Sequence, residues 1–195
     1  MCSSDLSFFV NGRSIQSSHP GASLVTGPAG AGSITVNQMY VQYRVPAGRK
    51  NVPVVMVHGS GHTGMTYETT PDGREGWATY FARNAYPVYV VDQAGRGRSS
   101  FNPSPINAVG EKAADASTLP TLYTAVIERA WPNFRFGKDY PTPYPNLQFP
   151  LEALDQYLSQ LVPNTETTLE GAGQNSVDGL VALLDKIGPA IVMVH

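Results

Sequence analysis

The sequence predicts an α/β fold with a mostly parallel sheet, and three apolar runs of strand length are the basis of this prediction. They occupy residues 52–57, 86–92 and 189–195. The first run is rich in valine and apolar on both faces, which is typical of a strand that helices cover on both sides. Helical patterns separate the runs, as the crossovers between parallel strands require. With 195 residues, 42% of them hydrophobic, the chain is long enough for one core.

The sheet is expected to begin with antiparallel strands. Residues 33–46 alternate in character, with Gln42 in one set of positions and Val41 in the other. This alternation marks a strand with one solvated face, as at the antiparallel start of an otherwise parallel sheet. A second strand candidate, residues 6–15, precedes it across a connection rich in glycine, serine and proline.

The first predicted helix covers residues 73–83, with Asp72 as its N-cap. Its expected core positions are Trp77, Tyr80 and Phe81. This helix would form the crossover between the first two apolar runs.

The last predicted helix begins at Asn175 as N-cap and ends at Gly188. Its apolar stripe consists of Val177, Leu180, Val181, Leu184 and Ile187. A shorter helix is predicted near residues 122–130. The last helix would deliver the chain to the final apolar run.

The loop after the first apolar run contains a glycine motif that has two interpretations. Gly59, Gly61 and Gly64 spell GxGxxG, and Asp92 ends the next run, as in a dinucleotide-binding site of an NAD(P)-dependent oxidoreductase. Three features oppose this interpretation. A proline and a glycine soon after Gly64 oppose the early helix that the motif needs, Asp92 lies farther away than the usual ~20 residues, and predicted strands precede the motif.

The second interpretation uses three motifs in a fixed order. His58 and Gly59 form an HG pair at the end of the strand, residues 69–77 read TTPDGREGW, and residues 91–99 read VDQAGRGRS. Together they resemble a bacterial esterase branch of the α/β-hydrolase family, and the close resemblance covers residues 33–100. It implies the N-terminal part of an α/β-hydrolase fold, with an antiparallel start, a mostly parallel sheet and helices on both faces.

The resemblance also implies an oxyanion site in the HG loop. Its backbone donor would be the N–H of Ser60, with the N–H of Gly61 as the second choice. The residues expected to hold or orient this loop are His58, Gly59, Asp92, Gly95 and Gly97. The simpler alternative is a tight turn that needs small residues.

In this family the nucleophile follows the fifth strand, and the acid and the histidine come later in the chain. Residues 189–195 resemble that strand, so the whole catalytic triad is expected beyond His195. None of the four histidines, His19, His58, His62 and His195, is therefore expected to be the catalytic base.

The chain is interpreted as one incomplete domain, residues 1–195, truncated after the fifth strand. Residues 101–150 are rich in proline and aromatic residues, which fits either an inserted cap over the pocket or a stiff surface excursion. The opening MCSSDL resembles a translated sequencing adaptor, so Cys2 gives no information on disulfides.

The function predicted for the parent protein is that of a serine hydrolase of carboxylic esters, with this segment inactive alone. The alternatives are a haloalkane dehalogenase or epoxide hydrolase, the oxidoreductase above, and a non-catalytic binding protein on the same scaffold. No metal or cofactor is expected, and the partner is a small ester. Net charge −2 without a basic cluster argues against nucleic acid, and no run approaches the ~20 apolar residues of a membrane span. The resemblance favours a secreted or periplasmic location.

Overall fold

Five strands form one sheet in the computed structural model, which describes residues 2–165 and 171–195. The strands are β1 (Cys2–Ser17), β2 (Gly32–Pro46), β3 (Val54–Val57), β4 (Val88–Asp92) and β5 (Ile191–Val194). Their order across the sheet is β1-β2-β4-β3-β5. The pairs β1–β2 and β2–β4 are antiparallel, whereas β3 pairs in parallel with both β4 and β5. The predicted antiparallel start and parallel centre are confirmed.

Six α-helices join the strands in the described part of the chain. They are α1 (Met65–Glu68), α2 (Trp77–Arg83), α3 (Ser104–Gly110), α4 (Ile127–Asn133), α5 (Leu154–Leu158) and α6 (Ala172–Ile187). Short 3-10 turns lie at Ala116–Thr118 and Leu151–Ala153, and two-residue strands at Ala22–Ser23 and Gly27–Pro28 pair within the β1–β2 connection. Within the described residues, none of the helices has the length and hydrophobicity to cross a bilayer.

The sheet buries apolar side chains on both faces. Val55 and Val57 pack on one side with Leu183 of α6, and Val54 and Met56 pack on the other side with α2. Successive residues of a strand point to opposite faces, so a run that is apolar throughout needs helices on both sides. The α/β fold class is therefore confirmed.

Helix α2 begins later than predicted. Asp72 does not cap it, because its carboxylate accepts hydrogen bonds from Thr70 Oγ1 (2.5 Å) and Arg74 Nε (2.7 Å) within a local turn. These bonds compete with helical geometry and keep the turn out of the helix. The predicted core residue Trp77 is also 59% exposed, whereas the small residue Ala78 is buried against the sheet.

Helix α6 begins earlier than predicted, with Gly171 as N-cap. The Asn175 N–H donates to the carbonyl of Gly171 (2.8 Å), so Asn175 lies inside the first turn. The predicted stripe is also wrong in part, because Val181 is 52% exposed while Leu183 is fully buried. The end of the helix at Gly188 is confirmed.

Two further expectations about helices are wrong. The helix predicted at residues 122–130 is α4, which begins at Ile127, because Tyr123 instead forms an antiparallel bridge with Asn164. An early helix also exists directly after Gly64, since α1 begins at Met65. It has a single turn, so one of the three arguments against a dinucleotide site no longer holds.

Candidate active site

A tight turn follows β3 at the carboxyl end of the sheet. The N–H of His62 donates to the Gly59 carbonyl (3.2 Å), which closes a four-residue turn with Ser60 and Gly61 in its middle. Gly61 has φ +77°, the value that the third residue of a type II turn requires. A side chain at this position would be strained, so glycine suits it.

The two central amides of this turn have no hydrogen-bond acceptor within residues 2–165 and 171–195. They are the N–H groups of Ser60 and Gly61, and Ser60 is exposed. Unpaired backbone donors held in a fixed turn can bind a negatively charged oxygen without reorganising. The structure thus leaves free the two donors that the sequence singled out.

His58 links the turn to the end of β4. Its Nε2 accepts from the Gln93 N–H (3.0 Å), and Gln93 Nε2 donates to the His58 carbonyl (2.6 Å). Because Nε2 accepts, the ring proton is on Nδ1, which donates to the Gly59 carbonyl (2.9 Å). Burial lowers the pKa of His58 to about 4, so the ring is neutral at pH 7.

Asp92 lies at the end of β4 and is completely buried. Its carboxylate accepts from the Gly64 N–H (2.6 Å) and from both the backbone N–H (2.9 Å) and Nε (2.7 Å) of Arg98. Burial raises the pKa of Asp92, but the bonds from Arg98 and Gly64 outweigh it and hold the pKa below its ordinary value. The carboxylate is ionised and fully engaged, so it cannot bind a nucleotide ribose.

The turn after β4 packs beneath the HG loop. Gly95 (φ +76°) and Gly97 (φ +51°) have positive φ values, which glycine adopts without strain. Arg96 is buried and its Nη1 donates to two carbonyls of the HG loop, those of Gly59 (3.3 Å) and His62 (3.4 Å). A buried cation thus holds both ends of the turn that contains the free amides.

Strand β5 ends beside the same turn. Val194 pairs with Val57, and the N–H of His195 donates to the Val57 carbonyl (3.3 Å). The His195 ring lies so close to Gly59 that a Cβ there would collide with its Nδ1. Gly59 is therefore required by close packing, whereas Gly61 is required by its backbone angle.

A cavity of about 650 Å³ opens next to Gly59 and His62. Its apolar wall is aromatic and is built from Tyr67, Trp77, Phe134, Phe136 and Tyr157. Two of these side chains, at positions 134 and 136, belong to segment 101–150. The cavity can enclose an apolar group whose polar end reaches the turn.

Three of the four histidines, His19, His58 and His62, are bonded or placed differently from a catalytic base. His58 and His62 each bond a backbone carbonyl through Nδ1, whereas the histidine of a triad uses that atom to hold a carboxylate. His19 does contact a carboxylate, Glu111 (2.7 Å), but it lies on the β1–β2 connection away from the cavity. The described residues also contain no group of three His, Cys, Asp or Glu that could hold a metal.

Sequence reasoning missed the contacts of three residues at this site. The sequence placed Arg96 and Gln93 in the turn after β4 without naming their partners in the HG loop, and of His62 it predicted only that it is not the catalytic base. The Nε2 atom of His62 lies 3.1 Å from the hydroxyl of Tyr157, a residue 95 positions away. A contact between such distant positions leaves no spacing signal in the sequence.

The chain is similar to a curated lipase and to a solved esterase. No protein-family model matches the chain. A curated protein named "Probable secreted lipase phiG", from Fungal sp. (strain ATCC 74256), is 32% identical over 159 residues, which are 80% of this chain and 42% of that protein. A solved structure of a novel bacterial esterase superposes with a TM-score of 0.93 and 42% identity, over 100% of this chain and 60% of the esterase.

The chain thus spans less than half of the curated relative and about three fifths of the solved esterase. The sheet, its helices and the esterase superposition show the fold class directly. The chain has an α/β fold that superposes closely on the solved esterase.

Proposed function

We propose that this chain provides the oxyanion side and much of the substrate pocket of a serine hydrolase that acts on carboxylic esters. The observation that carries the proposal is the pair of free amides at Ser60 and Gly61, in a turn whose first and last residues, Gly59 and His62, line the aromatic cavity. The lipase and esterase relatives support the same reaction class.

The proposed nucleophile is a serine in the residues that follow His195 in the parent protein. β5 runs parallel to β3 and ends beside Gly59, so the chain that leaves β5 emerges at the free amides. A nucleophile at this corner would face a carbonyl carbon whose oxygen is bound by the Ser60 N–H. The acid and the base would follow it in the chain, as in other hydrolases of this fold.

In the proposed reaction the serine oxygen forms a bond to the ester carbonyl carbon, and its proton passes to the base. The carbonyl electrons move onto the oxygen, where the Ser60 N–H stabilises the negative charge. Collapse of this intermediate breaks the bond to the alcohol oxygen, which takes the proton and leaves, and water then hydrolyses the acyl-enzyme by the same steps. A fixed backbone donor of this kind contributes ~10² to 10³ in rate.

The cavity supports an ester with an apolar portion. Its aromatic wall offers a large apolar contact area, and Gly59 and His62, the two ends of the turn that contains the free amides, line the cavity. Segment 101–150 supplies Phe134 and Phe136, which supports the proposal that this segment is a cap over the pocket.

The test is the sequence that follows His195 in the same gene, together with an assay of its complete product. We expect a small-x-Ser-x-Gly motif within about ten codons, and turnover of a p-nitrophenyl ester that stops when this serine is changed to alanine. An aspartate in its place would make the protein a dehalogenase or epoxide hydrolase. No turnover of esters despite a correct fold would favour a binding protein on this scaffold.

We further propose that the parent protein is exported, because the curated relative is named as secreted and the motifs resemble exported esterases. Fractionation of the native host should find it outside the cytoplasm. Recovery in the cytoplasmic fraction alone would refute this.

A further inference from the structure

His62 occupies an unusual position for a residue without an expected role. Its side chain is buried and lines the cavity, with its ring centroid 5.3 Å from that of Phe134 and 5.6 Å from that of Tyr157. Its Nδ1 lies 2.9 Å from the carbonyl oxygen of Ser60. The ring therefore joins the turn with the free amides to the aromatic wall.

The proton positions on His62 follow from its partners. A carbonyl oxygen can only accept, so Nδ1 carries the proton and donates to Ser60. In the neutral ring Nε2 is then an acceptor, and the hydroxyl of Tyr157 donates to it. Burial lowers the pKa of His62, and the neighbouring His195 and Arg96 lower it further. The ring of His62 is therefore neutral at pH 7, with its proton on Nδ1.

The bond to Ser60 fixes the central peptide of the turn. Type I and type II turns differ mainly in the orientation of this peptide, here the one between Ser60 and Gly61. The Ser60 C=O and the Gly61 N–H of this peptide point in opposite directions, because the peptide is trans. A flip of the peptide would therefore reverse the direction of the Gly61 N–H. The Gly59 carbonyl, on the preceding peptide, is already held by His58 and Arg96.

We propose that His62 is a positioning residue for the Gly61 oxyanion donor, and that Tyr157 holds it in place. The Ser60 carbonyl and the Gly61 N–H belong to the same planar peptide, so the bond from His62 to this carbonyl sets the direction of the Gly61 donor. The aromatic wall that contains Tyr157 therefore also determines the geometry of this donor. This inference rests on the proposed ester hydrolysis.

Asparagine and glutamine variants separate the two bonds of His62. The Asn amide nitrogen matches Nδ1 and can still donate to Ser60, whereas the Gln amide matches Nε2 and reaches only Tyr157. In the complete gene product, His62→Gln and His62→Phe should lower kcat between ~10- and 100-fold with little change in KM, since 100-fold is the usual loss for one missing donor. His62→Asn should retain most of kcat, and His19→Phe serves as the control for loss of a histidine elsewhere.

Equal losses for His62→Asn and His62→Gln, at unchanged melting temperatures, would overturn the inference. If a His62 variant does not fold, Tyr157→Phe takes its place. This change removes only the hydroxyl that holds His62 and should also lower kcat. If the unsubstituted protein turns over no ester, the proposed function is wrong, and the geometry is then judged by a measurement that needs no substrate.

That measurement is the titration of His62 by NMR in the complete gene product. We expect the proton on Nδ1 and a pKa below the ordinary value. Tyr157→Phe should change this pKa, because it removes the hydrogen-bond partner of Nε2, and it should shift the Gly61 amide resonance. Tyr144→Phe, a change to an exposed tyrosine of segment 101–150, should alter neither. A proton on Nε2, or no response to Tyr157→Phe, would overturn the inference.

Discussion

At Ser60 the proposed role belongs to the backbone, so two substitutions should have opposite outcomes. Ser60→Ala keeps the N–H and should retain most activity in the complete gene product. Ser60→Pro removes the donor and should lower turnover by ~10² or more, the usual loss for one such group. Steady-state kinetics with a p-nitrophenyl ester measures both.

The comparison requires equal melting temperatures, because proline can also distort the turn. If Ser60→Ala is as damaging as Ser60→Pro, the hydroxyl is important and the assignment is wrong. If both variants are fully active, the donor is the N–H of Gly61.

The buried pair of Asp92 and Arg98 should make the free energy of unfolding depend on pH. Asp92→Asn should cost about 3 kcal/mol at pH 7, the lower end of the range for a broken buried pair, because Arg98 is 40% exposed and partly screened. The folded-state pKa of Asp92 is below its unfolded value of ~3.9. The stabilisation is therefore complete above that value and is lost as the pH falls through the folded pKa.

Urea denaturation of both proteins between pH 7 and pH 3 tests this expectation. The difference in unfolding free energy should shrink as the pH drops below about 4. Asp178→Asn, at an exposed carboxylate of α6, is the control, and its unfolding free energy should stay close to that of the unsubstituted protein at every pH. A constant difference for Asp92→Asn over the whole range would contradict the proposed pairing.

At the scale of elements, helix α6 is expected to depend on one side chain more than on its exposed valines. Leu183 is fully buried between α6 and the sheet, so Leu183→Ala should cost about 2–5 kcal/mol. Val181 is half exposed, and Val181→Ala should change stability by less than ~1 kcal/mol. Thermal or urea denaturation measures the stability of both variants. Equal losses of stability for Leu183→Ala and Val181→Ala would mean that Val181 contributes to the core, as the sequence predicted.

The strands β3, β4 and β5 were predictable because their runs are short, rich in β-branched residues and preceded by proline. The starts of the helices were not predictable, because the hydrogen bonds between Asp72 and Arg74 belong to a local turn that takes the place of the predicted cap. In the site, the motif located the HG loop and predicted its two donors. The contact between His62 and Tyr157 could not be predicted, since it depends on how segment 101–150 packs.

At the scale of the whole molecule, the free edge of β5 predicts association of the 195-residue chain. No described strand pairs with its outer edge, and Ile191, Val192 and Val194 are exposed there. An apolar strand edge is a template for other chains, and a lysine on it opposes such pairing. Size-exclusion chromatography should show oligomers that Val192→Lys reduces.

Val181→Lys places the same charge on an exposed part of α6 and should leave the oligomers unchanged. A monodisperse monomer with a cooperative melt would contradict the prediction. The chain alone should also show no esterase activity, and turnover above a buffer blank would refute the placement of the triad beyond His195.

The strand order also determines when β3 can pair with its two neighbours during synthesis on the ribosome. β3 lies between β4 and β5, yet β5 leaves the ribosome last, after all of segment 101–150. Synthesis proceeds at ~5–20 residues per second, so the edge of β3 that pairs with β5 stays unpaired for on the order of ten seconds. Nascent chains stalled before Ile191 should therefore bind a holdase chaperone, and chains whose β5 has cleared the exit tunnel should release it. Equal capture at both lengths would mean that another segment shields β3 in the meantime.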